Sequence, residues 1–243
     1  MLPALLALAA LATPPASLPA WDAPTWGAPA PSDTRSPDAH AARVFLTAFC
    51  EGRPDCRVEF LPIGNSGVKV PVANRRIPVN VAHGSFTRPG AREVLMTLCY
   101  AQSDTCDGTT LLRREGGRWK ALHHTEGVYP SECLKFRRFD GRDQLACRNN
   151  GFVMFGSTLR LISADTRRTV QKDLLPDGLS NCEARPMPVT RLGDWRQQDV
   201  NGDGRPDLVV DVYRYRLHFD DPGCFRGEPV RVEGERVVRR FAM

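Results

Sequence analysis

Five positions in one short stretch carry the oxygen chemistry of a hard cation. Asp199, Asn201 and Asp203 alternate along the chain, Gly204 follows, Arg205 offers its main-chain carbonyl, and Asp207 adds a further carboxylate. Ca²⁺ takes six to eight oxygen ligands at about 2.3–2.6 Å, so a short loop must curl and turn several carboxylates and carbonyls inward. Glycine permits that curl because it enters left-handed backbone at no steric cost. The spacing therefore predicts a Ca²⁺ loop with Asp199, Asn201, Asp203, Arg205 and Asp207 as ligands. The competing reading is an Asp/Asn/Gly surface turn, which the same residues make without a metal.

The residues after the loop decide which kind of calcium site this would be. Counted from Asp199, the first nine positions match an EF-hand loop, but the twelfth is Val210 where an EF-hand needs a bidentate Glu. Pro206 opposes a continuing helix, and Leu208 to Leu217 reads as a strand. A D-x-N-x-D-G-x-x-D-L-V segment entering a strand resembles the calcium repeat of the FG-GAP/VCBS class, found in integrin-type β-propellers and many secreted bacterial proteins. The resemblance covers Trp195 to Val210. It implies side-chain ligation by Asp199, Asn201, Asp203 and Asp207, carbonyl ligation by Arg205, and a β-blade context.

Catalytic constellations are not visible. The chain holds no G-x-S-x-G elbow, no H-E-x-x-H and no phosphate-binding glycine loop. His123 and His124 are neighbours in an expected strand, so they should point to opposite faces and not share a metal. His40 falls on an expected helix, His83 precedes a turn and His218 ends a strand, none with a nucleophile that sequence alone can pair to it. Asp220-Asp221 stands before Pro222-Gly223 and reads as a turn rather than an acid–base pair.

The elements that would hold the loop are those of an exported protein. Met1 to Ala12 is apolar and uncharged, and Ala10-Leu-Ala12 or Leu18-Pro-Ala20 offers a small-residue cleavage site, although no Lys or Arg precedes Arg35. Residues 1–20 read as a signal peptide, 21–35 as a Pro/Ala-rich linker, and 36–243 as one disulfide-stapled β-rich domain. The expected location is secreted, periplasmic or extracellular, with no membrane anchor after cleavage. Eight cysteines, an even number, fit an oxidised framework. Sequential pairing is the simplest scheme: Cys50–Cys56, Cys99–Cys106, Cys133–Cys147 and Cys182–Cys224. A zinc site is disfavoured, since no C-x₂-C or finger-type Cys/His spacing occurs. The net charge of +5 comes almost wholly from arginines dispersed among carboxylates, which gives no specific nucleic-acid signal.

Ser36 to Phe49 has a serine cap, Pro37 at the first helical position, an early Asp38, and Val44, Phe45, Ala48 and Phe49 at helical spacing. A helix is expected over 36–49. Beyond it, expected strands are short: Val58–Leu61, Val68–Val72, Ile77–Val81, Val94–Tyr100, Thr110–Arg114, Trp119–His123, Leu145–Cys147, Phe152–Phe155, Thr158–Ile162 and Leu208–Leu217. Phe86 to Leu95, Phe139 to Ala146 and Asp203 to Val209 share a glycine–arginine turn followed by a strand. They suggest repeat-like units over about 84–133, 134–193 and 194–243, only the last with a full ligand set. The fold class expected is mainly β: propeller-like, or a compact β-domain of about three antiparallel units, with a short N-terminal helix. Two functions fit. The preferred one is a non-enzymatic, calcium-stiffened interaction or structural module for another protein or a surface glycan; the other is a secreted hydrolase with dispersed catalytic residues and a structural calcium.

Overall fold

The computed structural model describes residues 32–62, 67–103, 105–150, 157–175, 187–218 and 231–243. Within them the chain is mainly β, with one helix. The two-residue strand β1 (Thr34–Arg35) leads into α1 (Ala39–Cys50). The helix starts two residues later than a Ser36 cap would have it. Asp38 is the cap instead, its Oδ1 accepting the Ala41 N–H at 2.8 Å. A carboxylate there both satisfies an orphan N–H and faces the positive end of the helix dipole. Phe45, Leu46, Ala48 and Phe49 form the buried stripe.

Three antiparallel sheets follow in chain order. The first curls into a half-barrel and runs β2 (Val58–Pro62), β3 (Lys69–Ala73), β4 (Arg76–Gly84), β5 (Glu93–Tyr100), β6 (Cys106–Glu115) and β7 (Arg118–Glu126), with β1 added beside β4. The second is the meander β8 (Glu132–Arg137), β9 (Asp143–Asn150), β10 (Ser157–Ala164) and β11 (Thr169–Leu175). The third joins β12 (Met187–Gln198), β13 (Asp207–His218) and β14 (Arg231–Phe241).

Strand alternation divides each sheet into two faces, and the faces stack into layers. On the first sheet Val81, Val94, Met96, Leu98 and Leu112 meet α1 through Phe45, Leu46 and Phe49. Their opposite neighbours Ala82, Leu95 and Leu111 face the second sheet through Cys133, Leu145, Cys147 and Ile162. The other face of the second sheet, carrying Leu134, Phe136, Ala146 and Leu159, covers Leu192, Trp195, Leu208, Val210 and Val212 of the third. The order is helix, first sheet, second sheet, third sheet, with a separate core at each junction. Each fully buried Leu, Val or Phe in these cores contributes about 1.5–3 kcal/mol.

Three disulfides agree with the sequential scheme: Cys50–Cys56 ties the end of α1 to the approach to β2, Cys99–Cys106 closes the β5–β6 turn, and Cys133–Cys147 joins directly opposed residues of β8 and β9. The expected Cys182–Cys224 pair and the Phe152–Phe155 strand lie outside the described residues. So does Asp220-Asp221. The sheets do not share the edges of the expected units 84–133, 134–193 and 194–243. β4 belongs with the strands after it, β1 to β3 lie in that same layer well before residue 84, and β12 opens the third sheet before residue 194.

Candidate functional site

The 199–207 segment is the connection between β12 and β13. Gly202 and Gly204 hold it in left-handed backbone, with φ of 77° and 79°. The Asp199 carboxylate accepts the Gly202 N–H at 2.7 Å on Oδ1 and the Gly204 N–H at 2.8 Å on Oδ2. Asn201 Oδ1 accepts the Asp203 N–H at 3.0 Å, and Asp203 Oδ1 accepts the Arg205 N–H at 2.8 Å. The Asn201 amide donates to Asp203 Oδ2 at 3.1 Å. The Gly204 N–H holds the Asp199 carboxyl below the usual carboxylate range, with the Gly202 N–H adding to it.

Asp199, Asn201 and Asp203 are thus one network, each side chain aimed back across the turn by a main-chain N–H. Asp207 joins from the strand end, its Oδ2 accepting the Val200 N–H at 3.1 Å. These acids do not form a closed carboxylate cage: among the described residues, no three His, Cys, Asp or Glu side chains converge as a metal-binding group. The loop's donor set is mixed, with an amide and a main-chain carbonyl among carboxylates that keep further lone pairs beyond their N–H contacts.

Asp207 differs from two counterparts inside the molecule. Each sheet has a glycine in left-handed backbone, Gly90, Gly141 and Gly204, shortly before a strand whose first residue is a buried acid. Glu93 is 1% exposed, Asp143 3% and Asp207 2%. Glu93 receives the Thr87 N–H at 2.9 Å and Arg113 Nε at 2.8 Å, and the Arg113 guanidinium also reaches the Thr87 hydroxyl. Asp143 receives the Ser85 N–H at 2.8 Å and Arg137 Nε at 2.6 Å. Asp207 has its one N–H and, among the described residues, no cationic side chain beside it. A buried carboxylate is costly unless its charge is compensated. Two of the three acids have a guanidinium for that purpose; among the described residues the third has none.

The loop also reaches its neighbour in the stack. Arg205, half-buried, lays its guanidinium 3.8 Å from the ring centroid of Phe139, in the β8–β9 turn. The residue whose carbonyl is a candidate ligand is therefore the residue that touches the second sheet.

The histidines divide as strand geometry requires. His123 points toward the second sheet, its Nε2 3.0 Å from Thr169 Oγ1. His124 points toward α1, against the Phe49 ring. Its Nδ1 lies 2.9 Å from Thr110 Oγ1 and its Nε2 3.4 Å from Asp107, an alignment of hydroxyl, imidazole and carboxylate that no sequence spacing signals. Thr110 is fully buried, and Asp107 is already paired with Arg76. No substrate carbonyl could reach that hydroxyl, so the group is a polar packing element. Burial is the main cause that lowers both imidazoles below their ordinary value.

Among the described residues, no helix is long and apolar enough to cross a membrane. No protein-family model, no curated protein and no solved structure matches the chain.

Proposed function

We propose that this chain is an exported, calcium-binding β-sheet module that acts by binding rather than by catalysis. The observation that carries the reading is the Asp207 carboxylate, buried beneath a loop of oxygen donors with no countercharge among the described residues, while its counterparts Glu93 and Asp143 each hold a guanidinium. A divalent cation bound by Asp199, Asn201, Asp203, Asp207 and the Arg205 carbonyl would supply that charge. In this reading Arg113 and Arg137 do permanently, for the first and second turns, what Ca²⁺ does reversibly for the third. The disulfides support an oxidising location, and the apolar N-terminal run in the sequence supports export.

Calcium would act here as a clamp. It would fix the β12–β13 connection and, through Arg205 and Phe139, the position of that connection against the second sheet. The test is calorimetric titration of the oxidised protein with Ca²⁺, Asp203→Ala serving as control. Extracellular modules bind at about 10⁻⁴–10⁻³ M. Saturable heat in that range that disappears in the variant is the expected result; no heat in either protein leaves the loop a surface turn.

A further inference from the structure

The second sheet is only partly covered by the third. Register places Phe136, Gln144 and Ser163, and likewise Leu134, Ala146, Leu161 and Lys172, on one face. The half of this face around Leu134, Ala146 and Leu159 is sealed by β12 and β13. The other half opens into a cleft of about 630 Å³, lined among others by Phe139, Gln144, Ser163, Lys172 and the ion-paired Arg138 and Asp140, a volume ordinary for a small-ligand site.

Three features of the cleft suit a ligand. Gln144 is only 7% exposed, yet its side-chain amide lines the cleft and is not sealed from solvent. Water completes such an amide, and a ligand hydroxyl that reproduces those hydrogen bonds can take the place of that water. Lys172 projects from β11 nearby and forms no ion pair among the described residues, in contrast to Arg138, which is held by Asp140 at 3.2 Å. Phe139 is 80% exposed although Arg205 stacks on its ring, so an aromatic surface is held in place and left open to solvent.

We propose that this cleft binds an anionic saccharide, with a carboxylated pyranose as the recognised unit. The C–H face of a sugar ring suits the negative face of the Phe139 ring. The Gln144 amide can donate to one hydroxyl and accept from its neighbour, as a vicinal diol requires, and Ser163 adds a hydroxyl that does either. The Lys172 ammonium takes the carboxylate in a charge-assisted bond. An acidic peptide is the less suitable occupant. A peptide strand is recognised by a row of main-chain donors and acceptors at a sheet edge, whereas this cleft lies on a sheet face and offers side-chain groups. The net charge of +5 favours approach of an anionic polymer in general.

The proposal deepens the binding-module reading and rests on it for the role of the site; the cleft itself does not depend on calcium. The experiment keeps the two apart by starting in EDTA, which also removes the complication that oligouronates chelate calcium. The oxidised protein is titrated with hexagalacturonate, with its fully methyl-esterified form, and with hexaglutamate. Expected are saturable binding of hexagalacturonate, roughly tenfold weaker binding by Lys172→Met, and no saturable binding by Phe139→Ala. Both side chains are exposed, so these variants retain the fold. Gln144→Leu should weaken binding, since it removes the donor and the acceptor that a vicinal diol would use. No binding of hexagalacturonate, equal binding of the ester, undiminished binding by Phe139→Ala, or stronger binding of hexaglutamate would each overturn the proposal. Calcium titration of the same protein, read at Asp207→Asn, reports on the clamp alone.

Discussion

Replacing Asp207 by Asn separates a calcium loop from a surface turn, because the two readings give effects of opposite sign in two buffers. In EDTA the native protein holds a buried carboxylate with a single N–H partner. Asn keeps an oxygen for the Val200 N–H and removes the uncompensated charge, so the variant should lie within about 1 kcal/mol of the native protein or be more stable. In calcium the order reverses. A ligand at one hundred times its dissociation constant, binding only the folded state, adds about 2.7 kcal/mol. For a site of about 10⁻⁴ M that condition is about 10 mM Ca²⁺. A chain of this size moves about 2–4 °C per kcal/mol, so native protein should gain about 5–11 °C and the variant almost nothing. Glu93→Gln is the internal control. It strips Arg113 of its buried charge partner, leaving only the exposed Glu115 at 3.6 Å, and should cost up to about 3–5 kcal/mol in both buffers alike. Differential scanning calorimetry at the two calcium levels reads all three proteins. If Asp207→Asn is destabilised in EDTA as strongly as Glu93→Gln is, or if native protein gains no stability from calcium, then the missing countercharge does not mark a cation site.

Packing and burial set three further expected outcomes. Arg113→Met should lose about 3–5 kcal/mol by urea unfolding, whereas Arg113→Met with Glu93→Leu should recover most of it, because the pair is buried and its worth lies in mutual compensation; a double variant no better than the single would refute this. Burial lowers His83, His123 and His124 below 6.5, so the unfolded chain takes up protons first as the pH drops. These groups add no pH dependence above about 6.5, and below it stability should fall until the folded imidazoles titrate; His123→Gln/His124→Gln should flatten the melting-temperature profile between about pH 6.5 and 5, and an unchanged slope would count against the assignment. Gly108 passes so close to β7 that a Cβ would overlap the Thr125 carbonyl oxygen, a main-chain atom; Gly108→Ala should destabilise by about 1–3 kcal/mol in thermal unfolding, and a neutral result would mean that β6 and β7 can part at that point.

Much of the architecture is legible in local pattern, and the remainder is tertiary in origin. Phe45, Ala48 and Phe49 announce α1 because a helix buries a fixed periodic stripe. The loop at 199–207 stands out because ligand positions tolerate few residue types. β12 and β14 escape sequence pattern for the opposite reason. Pro188 and Gly193-Asp194 interrupt the first, and Glu233-Gly234-Glu235-Arg236 loads the second with charge, yet both pair with β13 over most of its length. Gly193 is tolerated because the Tyr213 ring occupies the space of its absent side chain. β8 and β11 are short and polar on one side, so their alternation is too weak to register. The guanidinium partners of Glu93 and Asp143 have no local signal either: Arg113 arrives from a neighbouring strand and Arg137 from across a turn. The open half of the second sheet is invisible in sequence, since Gln144 and Lys172 look like ordinary strand residues until the third sheet is seen to stop short of them.

The order helix, first sheet, second sheet, third sheet has a kinetic meaning. Each core is shared by two adjacent layers only, so the protein behaves as a one-dimensional stack in which stability passes from neighbour to neighbour, as in repeat proteins. Among the described residues the third sheet has one such junction and the other two sheets have two. It should therefore detach first, opening Leu192, Trp195, Leu208 and Val210 to water and exchanging its amide hydrogens ahead of β5 and β9. The β12–β13 connection sits on that detachable layer and grips the next one through Arg205. An ion bound there would need to hold only that end of the stack to slow the unravelling that begins from it.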